Sequence, residues 1–409
     1  MKKNYKALYN LPKKVIFCNK CILSNQVPAS IPEFKHLRDR KGAKYVNIDK
    51  DQICDPCKTH TEKENKINWE EREQLLLKIL EKHRSNNNQY DCLVPGSGGK
   101  DSAMQAHLLK YKYGMNPLCI TWDPILPTDY GRENLSNFIK IGGFDNMTFT
   151  PNGEVMRKLT RLGVKNLLHP FQTFILGQKN LAPKIASKFG IELIFYGEGN
   201  APYNDTLSSS YSYLAKMTDH AHKNLNNTYL SGLSMKELIK DHDFKMNDLK
   251  TFLPAKMDEL KKNLKILYLG YFINWIPQEA YYYAVENTGF KARPFRTQGT
   301  YNKYSSIDDK IDDLHYYTTF IKFGIGRTTY DASQEIRNNH ITRDGAKVLA
   351  HRFEGEFPDK YFSEVMEYLK IKEKTFFKWC DDFRSPHLWT KKKGKWKLRH
   401  NINKTGEDD

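Results

Sequence analysis

The chain has 409 residues, 39% of them hydrophobic, with 65 Lys and Arg against 48 Asp and Glu for a formal net charge of +17. That length allows two or three domains, while the lack of any run of about 18 apolar residues, and of an apolar segment after "MKKNYKALYN", excludes a hydrophobic membrane helix and a secretory signal and predicts a cytoplasmic protein. The basic excess favours an anionic partner, whether RNA, nucleotide, phosphorylated sugar or acidic protein, without choosing among them.

Residues 1–66 carry Cys18-x2-Cys21 and Cys54-x2-Cys57, little helical periodicity, and turn-forming stretches such as "RDRKGAK" and "CDPCK". Paired cysteines in a reducing compartment are metal ligands rather than disulfides. Four thiolates suit a tetrahedral zinc ion that leaves no position for substrate and is therefore structural; an iron–sulfur cluster is the other group such a set takes. The 32 residues between the pairs exceed the usual ribbon spacing and predict a hairpin of their own near "AKYVNID". Cys92, Cys119 and Cys380 stand alone and read as small core residues.

From Trp69 the pattern changes. In "WEEREQLLLKILEKHR" the residues Leu75, Leu76, Ile79 and Leu80 recur at helical spacing. Short apolar runs then alternate with helical patterns: "YDCLVP", a helix from Ser102 to about Tyr113, "NPLCITWD", a helix near 132–141, "NMTFT", a helix near 153–162, "LAPKIASKFG", "IELIFYGEG" and "LKILYLGYFINW". This alternation predicts an α/β domain with a parallel sheet over residues 67–290. Residues 291–409 read as mostly helical, with helices in "PDKYFSEVMEYLK" and "KEKTFFKWCDDFR", one capped by Thr328 or Thr329, another capped by Thr342, and a basic tail, "TKKKGKWKLRH".

The stretch "DCLVPGSGGKDSAM" places a glycine-rich turn between a strand and a helix. Main-chain N–H groups at a helix start are unpaired and point outward, so an anion can sit there, and glycines let it approach. A Walker loop fails, because Gly99-Lys100 is followed by Asp101 and the first glycine position holds Val94. A dinucleotide fingerprint fails because its third glycine would be Asp101. The remaining pattern, Ser97-Gly98-Gly99-Lys100-Asp101-Ser102, resembles the SGGxDS loop of the N-type ATP pyrophosphatases, or PP-loop enzymes. The resemblance implies that the loop holds the β- and γ-phosphates of ATP while a substrate oxygen attacks the α-phosphate. Gly98 and Gly99 would then offer N–H groups, Ser97 and Ser102 hydroxyls, and Asp101 would orient Mg²⁺ or the loop, these last three being the expected catalytic residues. It also implies adenine recognition near Thr121 to Asp123. Gly197, Glu198 and Asn200, in the polar loop after "IELIFY", are further candidates for nucleotide or substrate contacts, since ligands bind at strand carboxyl ends in open α/β sheets. In "IKFGIGRTTYDASQEIRN", Lys322 and Arg327 are candidate anion contacts.

Taken together, "CNKCILS", "CDPC", "VPGSGGKDS", "YGEGN", "YSSIDDKIDDLHYY" and "KFGIGRTTYDASQEIRN" resemble the N-acetyl sugar amidotransferases of bacterial surface-polysaccharide and flagellin-glycan pathways, over roughly residues 15–390. The resemblance implies adenylation of an acetamido oxygen on a nucleotide-linked or nonulosonic (pseudaminic or legionaminic type) sugar, and displacement of AMP by ammonia to leave an acetamidino group. The chain shows no nucleophilic cysteine after Met1 and no nucleophile elbow, so a separate glutaminase subunit is the expected ammonia source. ATP, Mg²⁺ and structural Zn²⁺ are the expected cofactors, and neither a membrane nor nucleic acid is expected as a partner. The alternative is a PP-loop enzyme that modifies tRNA by lysidine synthesis or thiolation, for which clear tRNA binding with a salt slope would speak.

Overall fold

A computed structural model describes residues 5–85, 89–197, 212–222, 225 and 227–402. β1 (Cys92–Pro95), β2 (Pro117–Trp122), β3 (Asp145–Phe149), β4 (Leu193–Tyr196) and β5 (Lys265–Tyr268) form one sheet in the order β3-β2-β1-β4-β5, with every neighbouring pair parallel. Successive residues enter opposite cores, as strand pleating requires. Leu93, Leu118, Ile120, Ile194 and Ile266 pack on one face, and Cys92, Val94, Cys119, Leu193, Phe195 and Leu267 on the other. Cys92, Cys119 and Cys380 are fully buried, as small core residues. The parallel α/β class expected from the alternation is the one observed.

Helices cover both faces. α1 (Asp55–Lys66) follows the second cysteine pair, and α2 (Trp69–His83) buries Leu76 and Leu80. α3 (Lys100–His107) passes into a π-helical turn over Leu108–Lys112. α4 (Asp129–Lys140), α5 (Gly153–Leu167) and α6 (Gln172–Lys188) complete the first half, and α6 packs on β1, β2 and β4. After the short helices α7 (Met235–His242) and α8 (Met246–Lys250), α9 (Pro277–Thr288) packs against α3. The chain order leaves β1 for β2 and β3 on one side and returns to β4 and β5 on the other. The sheet thus reverses between β1 and β4, the position where open α/β sheets form a ligand crevice at their carboxyl edge.

The last part of the chain contains α10 (Asp312–Phe323), α11 (Arg327–Arg337), α12 (Arg343–Phe353), α13 (Asp359–Leu369) and α14 (Glu373–Phe383). Thr342 caps α12 as expected, accepting from Gly345 N–H at 3.1 Å. Thr328 and Thr329 do not cap α11. That helix starts earlier, with Gly326 at its N-cap, because the distant Glu354 carboxylate accepts from the N–H groups of Gly326 and Thr329, while the Thr328 hydroxyl donates to the Gly299 carbonyl at 2.8 Å. The basic tail is not featureless either: β6 (Trp389–Lys392) and β7 (Lys395–Leu398) form an antiparallel hairpin. Lys393 and Gly394 turn it with φ of 50° and 77°, the two positive angles a tight hairpin turn needs. Between the cysteine pairs "AKYVNID" does take part in an antiparallel pairing of the loop's own: Tyr45 bridges back to Pro28, with Ala29 N–H on the Lys44 carbonyl and Val46 N–H on the Val27 carbonyl, and Ile48 bridges to Cys54.

The cysteine segment is woven into the carboxyl-terminal helices. Tyr9 and Leu11 share a core with Val365, Leu369, Phe376 and Phe383, and Ile22 packs with Ala332 and Ala346.

Candidate active site

The turn from β1 into α3 lies at the carboxyl edge, beside the sheet's reversal. Gly96 N–H donates to the Ile120 carbonyl at 2.9 Å, tying the loop to β2. The Thr121 hydroxyl donates to the Gly96 carbonyl at 2.7 Å and lies 3.0 Å from Asn146 Oδ1, so this buried side chain braces the loop. Gly98 has φ of 80°, and a Cβ there would stand 2.7 Å from the Leu135 main chain, so both conformation and space require glycine. Gly99 is the N-cap of α3, and no side chain caps that helix. Its first N–H groups are therefore left for a ligand, and the helix dipole favours an anion there.

The side chains at the turn are already organised. Ser102 Oγ donates to the Gly99 carbonyl at 3.0 Å and packs against Gly96. Lys100 is buried and its ammonium bonds both oxygens of Asp101 at 2.7 Å, while Asp101 itself stays half exposed. The two form a neutral, hydrogen-bonded pair at the mouth of the turn. Asp308 lies close to Ser97: burial pushes its carboxyl up and that hydroxyl pulls it back. Gly131 allows this approach, since a Cβ there would meet Asp308 Cα at 2.6 Å. Around it, Thr128 N–H donates to the Asp308 carbonyl at 3.0 Å, and Asp309 accepts from Ile125 N–H at 2.6 Å. Burial pushes Asp309 up to about 7. The motif "YSSIDDKIDDLHYY" carried a resemblance, but nothing in its spacing assigned Asp308 to the loop; the contact joins residues more than 200 positions apart.

Other sequence candidates fall in several places. Asp123 ends the β2 run, with its N–H on the Phe149 carbonyl at 3.0 Å and its carboxylate accepting from Thr150 at 3.0 Å. Gly197 follows β4 against Trp275 and Gln105, where a Cβ would find atoms at 3.1 to 3.3 Å. Glu198 and Asn200 lie outside the described residues.

The second assembly is the cysteine centre. Cys18, Cys21, Cys54 and Cys57 are fully buried, with their sulfurs all within 4.8 Å of one another and those of Cys21 and Cys54 3.6 Å apart. Main-chain N–H groups of Cys54 and Leu23 point at Cys18 and Cys21 sulfurs, at 3.3 and 3.5 Å. Such bonds favour thiolates over thiols. Zinc–sulfur bonds of about 2.3 Å in a tetrahedron put sulfurs roughly 3.8 Å apart, so the set fits one ion. A cluster would hold them wider, with iron and sulfide between.

Residues 298–403 match the family model described as LPS biosynthesis protein WbpG-like, C-terminal domain. This segment is similar to that domain, and in that sense WbpG-like. The match supports the resemblance to the N-acetyl sugar amidotransferases. An uncharacterized protein of Methanocaldococcus jannaschii is 32% identical over 100 residues, covering 24% of this chain, and the chain spans 35% of that curated relative's length. Among solved structures, a U34-tRNA thiolase from Methanococcus maripaludis with its [4Fe-4S] cluster aligns over 83% of this chain and 89% of its own, at 14% identity and a TM-score of 0.31. NMN synthetase from Francisella tularensis aligns over 55% of this chain and 94% of its own, at 16% identity and 0.24. A predicted subunit of tRNA methyltransferase from M. jannaschii aligns over 48% and 75%, at 16% identity and 0.25. At such scores these likenesses carry no argument, and the fold class rests on the strand order.

The WbpG-like segment sets Asp308 against the start of α4, whose Leu135 packs on Gly98 of the glycine turn. Its Lys322 is buried: the ammonium donates to the Leu167 carbonyl at 2.8 Å and lies over the rings of Tyr9, Phe323 and Phe383, and burial pushes its pKa well down. Arg327 begins α11 and pairs with Asp331 at 2.7 Å, over the Tyr316 ring. Asp331 also accepts from Thr300 and Asn302, each at 2.6 Å. The structure brings Ser97, Gly98, Gly99, Asp101, Ser102 and Thr121 together and leaves Lys322 in the core.

Proposed function

We propose that this chain is an ATP-dependent amidotransferase that adenylates the amide oxygen of an N-acetyl sugar, releases pyrophosphate, and exchanges AMP for ammonia to leave an acetamidino sugar. One observation carries the reading: the uncapped start of α3, at the sheet's reversal, and Asp308 of the WbpG-like segment meet on α4, Gly98 against Leu135 and Asp308 against Thr128 and Gly131. A phosphate-binding turn and a domain of lipopolysaccharide biosynthesis share one crevice.

In this reading the N–H groups of Gly98, Gly99 and the first turn of α3 hold the departing diphosphate, aided by the hydroxyls of Ser97 and Ser102. Lys100 offsets the Asp101 carboxylate, which would otherwise repel the phosphates. Asp101, an accessible carboxylate at the turn, suits Mg²⁺ as a hard oxygen ligand, and the ion would offset the charge of the leaving diphosphate. The acceptor amide oxygen forms its bond to the α-phosphorus as the bond to the β-phosphate oxygen breaks. Ammonia then adds to the imidoyl carbon and AMP leaves, with a proton lost from nitrogen. Gly197 lines the same edge, where substrate contacts from the following loop, Glu198 and Asn200 included, would be made, and Arg327 of the WbpG-like domain is the guanidinium offered to an anionic sugar. Ammonia comes from a glutaminase partner in the cytoplasm. The cysteine centre holds a structural zinc.

The test is product mass after incubation with ATP, Mg²⁺, ammonium and a panel of acetamido sugars. Replacing oxygen by NH lowers the sugar's mass by about one unit, with AMP and pyrophosphate as co-products. Asp101→Asn and Ser97→Ala should each reduce the rate about 100-fold or more without unfolding the chain. Formation of ADP and orthophosphate, or pyrophosphate release driven by tRNA and by none of the sugars, would overturn the assignment.

A further inference from the structure

Glu33, His36 and His169 converge outside both assemblies described above, with one ligand atom from each all within 4.8 Å of one another. The 3₁₀ turn Glu33–Lys35 and the residue after it put Glu33 and His36 on one side, three positions apart. His169 comes from the link between α5 and α6. Gln172, at the start of α6, fastens the two together by donating to the Glu33 carbonyl at 2.8 Å. The place is beyond the carboxyl edge of the sheet. Gly177 packs on the indole of Trp122 at the end of β2, and α6 runs from there toward the start of β4, so residues before Gly177 lie past the strand ends. The glycine turn opens on this same side.

Local detail favours a ligand set over an ordinary ion pair. Glu33 Oε2 lies 3.2 Å from His36 Nδ1 and 3.7 Å from His169 Nε2, yet this buried oxygen makes no hydrogen bond of acceptable geometry. A buried carboxylate oxygen without a partner is costly. The Ile31 main chain acts on the His36 ring and offsets part of the effect of burial. The His169 ring is held by stacking on His315, with centroids 4.8 Å apart and planes at 16°. The three side chains keep 12 to 17% of their surface, enough for an ion to enter. Arg40, Lys179 and Lys322 lie close enough to act on these groups electrostatically. That positive surrounding works against weakly held hard cations, whereas imidazole nitrogens bind zinc-like and cobalt-like ions through donor strength.

We infer that Glu33, His36 and His169 form a second metal site, a two-histidine, one-carboxylate set for a divalent transition ion with coordination positions left open. It is separate from the cysteine centre and from the magnesium that accompanies ATP. His315, which backs His169, stands one turn along α10 from Asp312, on the motif that also delivers Asp308 to Ser97.

The test strips the full chain of metal, reloads it with Co²⁺, and reads stoichiometry with the visible spectrum. Wild type should take one equivalent with thiolate-to-cobalt charge transfer and a second without it. His36→Ala, His169→Ala and the milder Glu33→Gln should each weaken or lose the second equivalent and keep the thiolate band, which also reports that the variant is folded. Cys54→Ser should do the reverse. A single equivalent in wild type, or a second that persists unweakened in all three variants, would overturn the inference.

Discussion

Gly98 and Gly99 are neighbours in one motif, yet they meet different surroundings. A Cβ on Gly98 would meet the Leu135 main chain at a φ only glycine takes easily, whereas one on Gly99 would find only the Ser97 hydroxyl oxygen at 3.6 Å. Gly98→Ala should destabilise the fold by about 2 kcal/mol and abolish pyrophosphate release, and Gly99→Ala should cost much less in urea unfolding; equal losses would contradict the packing. Asp308 acts through Ser97, so Asp308→Asn is expected to lower kcat about 10-fold or more with a smaller change in KM for ATP. Because burial raises the Asp308 pKa, wild-type activity should rise with pH as that carboxyl ionises, and the variant's profile should lose that limb. The glycine turn was legible because its chemistry is contiguous. Asp308, Glu33, His36 and His169 were not, since each gains meaning only from residues brought in from another part of the chain.

The cysteine segment shows how an element depends on its neighbours. Arg343, at the start of α12, donates to the carbonyls of Cys21 and Cys18 at 3.0 and 2.9 Å, and Ile325 packs in the core around the four sulfurs. An ion held by these sulfurs would therefore tie together more than residues 1–66. A strong chelator, or Cys54→Ser, should lower the melting temperature and open α11 and α12 to hydrogen exchange before the sheet; exchange confined to the cysteine segment would refute this coupling. The strands were readable from alternation because both faces of a parallel sheet are apolar. The start of α11 was misplaced because its cap comes from Glu354, on the other side of α12.

At the scale of the molecule, the two chain ends meet over a buried histidine. His387 Nδ1 lies 2.7 Å from Ser385 Oγ, its Nε2 lies 3.1 Å from Gln26 Oε1, and Leu8 N–H donates to the same serine at 2.9 Å. Burial lowers the His387 pKa from 6.5 to about 4, with His400 adding to the effect. Between those values the unfolded chain binds the proton and the folded one does not. The histidine's contribution is thus complete above pH 6.5 and is lost as pH falls toward 4, by up to about 3 kcal/mol. Urea melts across that window should show His387→Gln with a shallower slope than wild type, and identical slopes would reject the assignment. By itself the sequence determined the parallel α/β class and picked out the two cysteine pairs that come together and the glycine turn between β1 and α3, since each is written in residues close together and enforced by local geometry. Only the tertiary structure decided that the amino-terminal segment packs with the WbpG-like helices and that Asp308 meets α4 beside the glycine turn, because packing between distant segments follows from shape and burial that no short pattern encodes.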